Sequence, residues 1–108
     1  MMEQSWSKKE KTVARRAFEG AYEKECKDLI TQIQKRASEA KDPADIWRLH
    51  EFLTKRIKEI EGKYDYRYSV LILVFARLMK EGWLIVDDIE GLNEDKIAKI
   101  RYLAEGLI

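Results

Sequence analysis

Lys41-Asp42-Pro43-Ala44-Asp45 divides the first half of the chain into two long helical patterns. Proline cannot continue a helix, but it suits the first position of a new one. Asp42 stands where a cap belongs, and Asp45 falls near the positive end of the helix that follows. The spacing therefore predicts one helix ending near Ala40 and a second beginning at Pro43.

Upstream of this break, Ser7 and Glu10 read as a capping box. From about Lys8 to Ala40 no proline interrupts the pattern, and Phe18, Tyr22, Leu29, Ile33 and Ala37 recur on one stripe, with Cys26 among them. Such a helix reaches roughly 45–50 Å at 1.5 Å per residue, more than a compact unit of this size needs. Downstream, the second helix is expected to run to about Glu61. Its apolar positions Ile46, Leu49, Leu53, Ile57 and Ile60 are spaced as in a helix lying along another helix. A short connector between two long helices gives an antiparallel hairpin. Narrow apolar stripes on a small chain leave surface to cover, and a second copy could cover Leu29, Ile33, Ile46, Leu49 and Leu53.

Gly62 opens the next break. The segment Lys63-Tyr64-Asp65-Tyr66-Arg67-Tyr68 is dense in tyrosine and charge. The apolar run Val70 to Ala76 could be a buried strand or a buried helix, but no second strand is available to pair with it. It is expected to be a core helix, apolar nearly all round, closed by Gly82. Asp87 to Gly91 reads as a single turn. Asn93 can cap a last helix carrying Ile97, Ile100, Leu103, Ala104 and Leu107. The expected fold is all-α: one unit over residues 1–108, with a hairpin over about 8–61 and a small helical head over about 63–108.

Composition narrows the function. The 21 basic and 20 acidic residues nearly cancel, against the basic excess of a nucleic-acid binder. Val70 to Ala76 is too short to cross a bilayer, and the mixed charges of the first helix argue against a basic membrane-surface helix. The opening Met1 to Trp6 lacks the apolar run of a secretory leader, and Cys26 is the single cysteine. A cytoplasmic protein without disulfides is therefore expected.

Catalysis finds little support. His50 is the single histidine, and Cys26 with His50 cannot make a metal site. A Cys26–His50 nucleophile pair is conceivable, but a thiol in an apolar stripe is usually inert. The glycines stand alone rather than in a phosphate loop, and Asp87-Asp88 lacks the spacing of a calcium loop. No enzyme activity, metal or cofactor is expected. Trp47 has two readings: packing against the head or a neighbouring helix, or an aromatic anchor for a partner. It sits ~100° from Ile46 on the helical wheel, with His50 at ~40° and Glu51 at ~140°, so it flanks the stripe rather than filling it. Tyr64, Tyr66 and Tyr68 read more simply as packing groups at the join of hairpin and head.

Three stretches carry a resemblance. They are Ile46-Trp47-Arg48-Leu49-His50-Glu51-Phe52-Leu53, Glu59-Ile60-Glu61-Gly62-Lys63-Tyr64-Asp65-Tyr66-Arg67, and Ser69-Val70-Leu71-Ile72 with Val74-Phe75-Ala76. Together with Trp6, Ala21-Tyr22, Glu25 and Lys96 to Ile100, the chain resembles the fluorescence recovery protein family over most of its length. That resemblance implies an all-helical homodimer that carries no pigment. It implies binding to the photoactivated orange carotenoid protein of cyanobacteria and faster return of that protein to its orange form, ending quenching at the phycobilisome. Its partner-binding positions would be Trp47, His50, Glu51, Arg56 and, on the head, Lys99. A basic pair of the family falls on Arg56 and Ile57, so the second cation is missing here. The alternative is a homologue serving as a dimeric helical adaptor in another bacterial stress or signalling system.

Overall fold

The structure is a computed structural model that describes residues 5–106. Four α-helices follow in order: α1 Lys8–Glu39, α2 Pro43–Lys63, α3 Leu71–Glu81 and α4 Glu94–Gly106. A 3-10 turn at Val86–Ile89 joins the last two. The described residues contain no β-strand. The extents, 55 × 24 × 22 Å, are set by α1, whose 32 residues span roughly 48 Å.

Helix α1 begins with the capping box the sequence announces. Ser7 Oγ accepts from the Glu10 backbone N–H at 3.1 Å, and the Glu10 carboxylate accepts from the Ser7 N–H at 3.0 Å. Helix α2 begins as Pro43 requires, with the Asp45 carboxylate accepting from the N–H groups of Lys41 (2.9 Å) and Asp42 (3.3 Å). These bonds close the break into a tight corner and hold the Asp45 carboxyl below the usual carboxylate range.

The core lies entirely at one end. The first half of α1 contributes Val13, Ala14, Ala17, Phe18 and Ala21. Helix α3 contributes Leu71, Ile72, Val74, Phe75, Ala76 and Leu78, and the rest comes from Leu84, Ile89, Leu92, Ile100 and Ala104. Three alanines on one face of α1 let the head approach closely. Gly91, at φ +113°, lies so near Val13 that a Cβ there would meet Val13 Cγ2 at 2.8 Å. Gly82, at φ +89°, ends α3 in the left-handed conformation, and the Trp83 N–H bonds back to the Leu78 carbonyl at 2.9 Å.

Three expectations need correction. Tyr22 and Ala37, placed on the buried stripe of α1, are exposed; the buried face is the alanine face together with Glu10, Glu25 and Leu29. Helix α3 is not apolar all round, because Leu73 is 55% exposed beside exposed Arg77 and Lys80. It starts only at Leu71, since Val70 closes a turn onto the Arg67 carbonyl. Cys26, expected inside the stripe, is half-buried. The Asn93 cap is present, its Oδ1 accepting from the Lys96 N–H at 2.9 Å, while Leu107 lies outside the described residues.

Candidate partner-binding surface

Two buried ion clusters position the hairpin against the head. At the neck, Glu25 of α1 is 1% exposed. Its carboxylate accepts from Lys63 Nζ at 2.7 Å, Tyr64 OH at 2.8 Å and Arg56 Nη2 at 3.2 Å. Lys63 also reaches Glu81 of α3 at 2.6 Å, so one ammonium ties three helical elements together. Burial pushes the Glu81 carboxyl up, but Lys63 and Arg77 outweigh it and leave the group below its ordinary value. Burial and the Glu25 carboxylate both push the Tyr64 phenol up.

The second cluster closes the far end of the head. Lys96 of α4 contacts both oxygens of Glu10, at 3.0 and 3.1 Å, and donates to the Ser5 carbonyl at 2.6 Å. The Asn93 N–H adds a bond to Glu10 at 2.9 Å. Burial raises the Glu10 carboxyl, yet the Ser7 and Asn93 N–H groups and Lys96 prevail and lower it to about 2. The Lys96 ammonium also lies 4.6 Å from the Trp6 ring centroid. Neither cluster was anticipated from the sequence.

Away from the neck, α2 has little cover. Ile60 and Lys63 are its buried residues, both at the neck end. Toward the corner, Leu49, Phe52 and Leu53 are half-buried, and the Arg36 guanidinium lies 3.7 Å over the Phe52 ring. Ile46 is 62% exposed, Trp47 67% and Ile57 44%. The packing reading of Trp47 therefore fails within a single chain: a large aromatic stands in solvent, with exposed His50 and Glu51 one turn on. The Asp42 side chain makes no capping bond, and the start of the helix is held instead by the Asp45 carboxylate.

The remaining candidates separate. Arg56 is turned inward, its guanidinium shared between Glu25 and Glu59. Its environment raises its pKa: burial lowers it, and the two carboxylates more than compensate. Lys99 is exposed on α4, in the head, and does not join the Trp47 group. Of the seam candidates, Leu29 is already buried within the chain, Ile33, Leu49 and Leu53 are half-buried, and Ile46 is open. Among the described residues no three His, Cys, Asp or Glu side chains converge as metal ligands, and no helix is long and apolar enough to cross a membrane. The Asp88 carboxylate instead caps the 3-10 turn, accepting from the Ile85 N–H at 2.9 Å.

A closed helical head thus carries a long, half-covered hairpin with an outstanding tryptophan. The model of the family "photoprotection regulator fluorescence recovery protein" matches residues 6–104, and the chain belongs to that family. It is 42% identical over 102 residues to the fluorescence recovery protein of Synechocystis sp. PCC 6803, covering 94% of each chain. The solved structure of the Fremyella diplosiphon fluorescence recovery protein is 50% identical and superposes with a TM-score of 0.90, over 94% of this chain and 99% of that one. The Synechocystis structure superposes equally, with a TM-score of 0.90 at 42% identity. The all-helical hairpin-and-head architecture is thus that of known fluorescence recovery proteins, and the chain is a photoprotection regulator by family.

Proposed function

We propose that this protein acts as a homodimer that binds the photoactivated orange carotenoid protein and accelerates its return to the orange form, without covalent chemistry of its own. The observation that carries this reading is Trp47, exposed beside His50 and Glu51 on a helix that the rest of the chain leaves half-covered. Speeding a conformational return needs only that the protein bind one state of its partner, or the barrier between states, better than another. An exposed indole with a neighbouring imidazole and carboxylate can make that distinction. Lys99 would be a second, weaker contact from the head. Arg56 serves first to lock the neck, and Ile57 adds apolar surface in place of a cation. The protein would work in the cytoplasm.

The open stripe of α2 supports the dimer. A second copy laid over Ile46, Leu49 and Leu53, with Ile33 of α1, would remove from water the apolar surface that one chain leaves exposed. Ile46→Glu then places a charge in the seam and should halve the mass seen by light scattering; an unchanged mass overturns this interface. The functional test is the dark recovery of a red, photoactivated carotenoid protein with and without this protein. Acceleration is expected, and no acceleration with carotenoid proteins from several cyanobacteria would favour an adaptor role with another partner.

A further inference from the structure

The first three turns of α1 carry Lys8, Lys9, Lys11, Arg15 and Arg16, all exposed. The acid in that stretch, Glu10, is buried against Lys96. Among the described residues, none of the five cations makes an ion pair. At ~100° per residue Lys8, Lys9, Arg15 and Arg16 fan over the half of the helix opposite Ala14 and Ala21; Lys11 lies at the edge of that half, and Lys11 and Arg15 lie over the Tyr68 and Tyr66 rings. Lys8, Lys11, Arg15 and Arg16, with Glu19 and Glu23 further along, line one shallow, open trough on the surface of α1.

This placement works against the helix. The N-terminal turn is the positive end of the macrodipole, where lysine is unfavourable and acid is favoured. Lys8 and Lys9 stand at its first two positions. Cations kept where they weaken the fold, with no acidic partner among the described residues, are the local inconsistency expected of a functional surface. The charge pattern also selects the kind of partner. The positive stretch from Lys8 to Arg16 is only roughly 12 Å long and passes directly into exposed Glu19 and into Glu23, which already pairs with exposed Lys27 at 3.0 Å. A uniform polyanion laid along α1 would meet those two carboxylates; a protein segment that is acidic first and basic after would not.

We propose that this trough is a second docking surface, separate from the Trp47 surface, for an acidic protein segment whose charge reverses along its length. It lies far from the first surface. From Arg15 to Arg36, where α1 stacks on Phe52, is roughly 30 Å of helix. The molecule can therefore hold one protein at the hairpin and another at the head.

The test uses two helical peptides on an alanine background, followed by fluorescence anisotropy at about 50 mM salt. One carries glutamates throughout. The other carries glutamates opposite the five cations and lysines opposite Glu19 and Glu23. The mixed peptide should bind about tenfold tighter despite its smaller net charge. Lys8→Glu/Lys9→Glu/Arg16→Glu should weaken it about a hundredfold, and the corresponding glutamine triple about tenfold. Folding should be retained, because Lys8 and Lys9 stand in the first turn of α1, where glutamate is favoured, Arg16 is exposed, and none of these three side chains stacks on an aromatic ring, as Lys11 and Arg15 do. Trp47→Ala should leave the mixed peptide's affinity unchanged, which keeps this result independent of the carotenoid-protein reading. Equal or tighter binding of the all-acid peptide, of duplex DNA or of phosphatidylglycerol vesicles overturns the proposal. So does a change of mass in the glutamate triple, which would make the trough a contact between copies.

Discussion

The head and the outer hairpin are built from the same kinds of residue and reach opposite states. In the head, Phe75, Leu71, Leu78 and Ile100 are wholly removed from water, and every helix has a partner on its apolar face. In the outer hairpin, Ile46, Trp47 and Ile57 are on average more than half exposed, and α2 buries nothing before Ile60. The difference follows from how many elements meet. Four segments converge on the head: α1, α3, the 3-10 turn and α4. Beyond the neck only α1 and α2 remain, and two helices cover one stripe of each other and no more. The buried core therefore belongs to the head and the open apolar surface to the hairpin, and each residue's role can be tested by whether its substitution moves stability or binding.

The largest expected effect is in the head. Phe75→Ala deletes a fully buried ring from the face where α3 meets α1 and α4. It should cost about 4 kcal/mol, seen as a large drop in the denaturant midpoint. Ile46→Ala, of comparable chemistry but open to solvent, should change monomer stability by less than about 0.5 kcal/mol. Equal losses at the two sites would erase the contrast.

Next comes the neck, where the two regions join. Glu25→Gln takes the counter-charge from Lys63 and Arg56 while keeping the shape of the side chain. A buried cation left half-paired costs about 3 kcal/mol, and urea unfolding should register it. Lys63→Met together with Glu25→Gln removes both charges and should recover part of that loss, leaving Glu81 with Arg77. A double variant no more stable than the single would mean that the cluster acts by geometry rather than by charge.

A smaller effect should appear with acid at the far end of the head. Glu10 has an ordinary value near 4.5 when unfolded and about 2 when folded. The unfolded chain therefore binds its proton first as pH falls. The stabilisation is complete above about 4.5 and drains away between there and about 2. Thermal melts across that window should lose several degrees, and Glu10→Gln should flatten the slope while lowering stability at neutral pH. An unchanged slope in the variant would move the acid sensitivity to another group.

The hairpin was legible because its signals are local. Pro43, the Ser7–Glu10 box and the 3-and-4 spacing of α2 each act within one or two turns. The buried face of α1 was misread because alanine gives little hydrophobic signal. Ala14, Ala17 and Ala21 matter through closeness, and closeness depends on α3, far away in the chain. The two ion clusters were hidden for a related reason. Glu25 with Lys63 and Glu10 with Lys96 are separated by 38 and 86 residues, and each looks like one more solvated charge in a chain that is 38% charged. Arg56, expected among the partner-binding residues, also joins the neck through Glu25, a pairing hidden by the same sequence distance. The position of Trp47 on the flank of its stripe suits either packing or binding in the sequence; its exposure excludes packing within one chain and leaves a partner or a second copy to cover it.

Trp47→Ala brings the comparison to its sharpest point. The indole is 67% exposed, so its removal takes away little buried area and should leave the unfolding midpoint within about 0.5 kcal/mol of the parent. Helix α2 should keep its start, since the Asp45 bonds to Lys41 and Asp42 do not involve the ring. If Trp47 is the anchor, truncation should weaken partner binding by about 2 kcal/mol or more, roughly thirtyfold, and slow the accelerated recovery at limiting concentration. His50→Ala and Glu51→Ala, each exposed one turn away, should cost less, because rim groups mainly exclude water from the anchor. A Trp47→Ala variant that binds as before but unfolds earlier would assign the ring to the dimer seam instead. Light scattering separates the two outcomes, since loss of the seam lowers the mass and loss of an anchor does not.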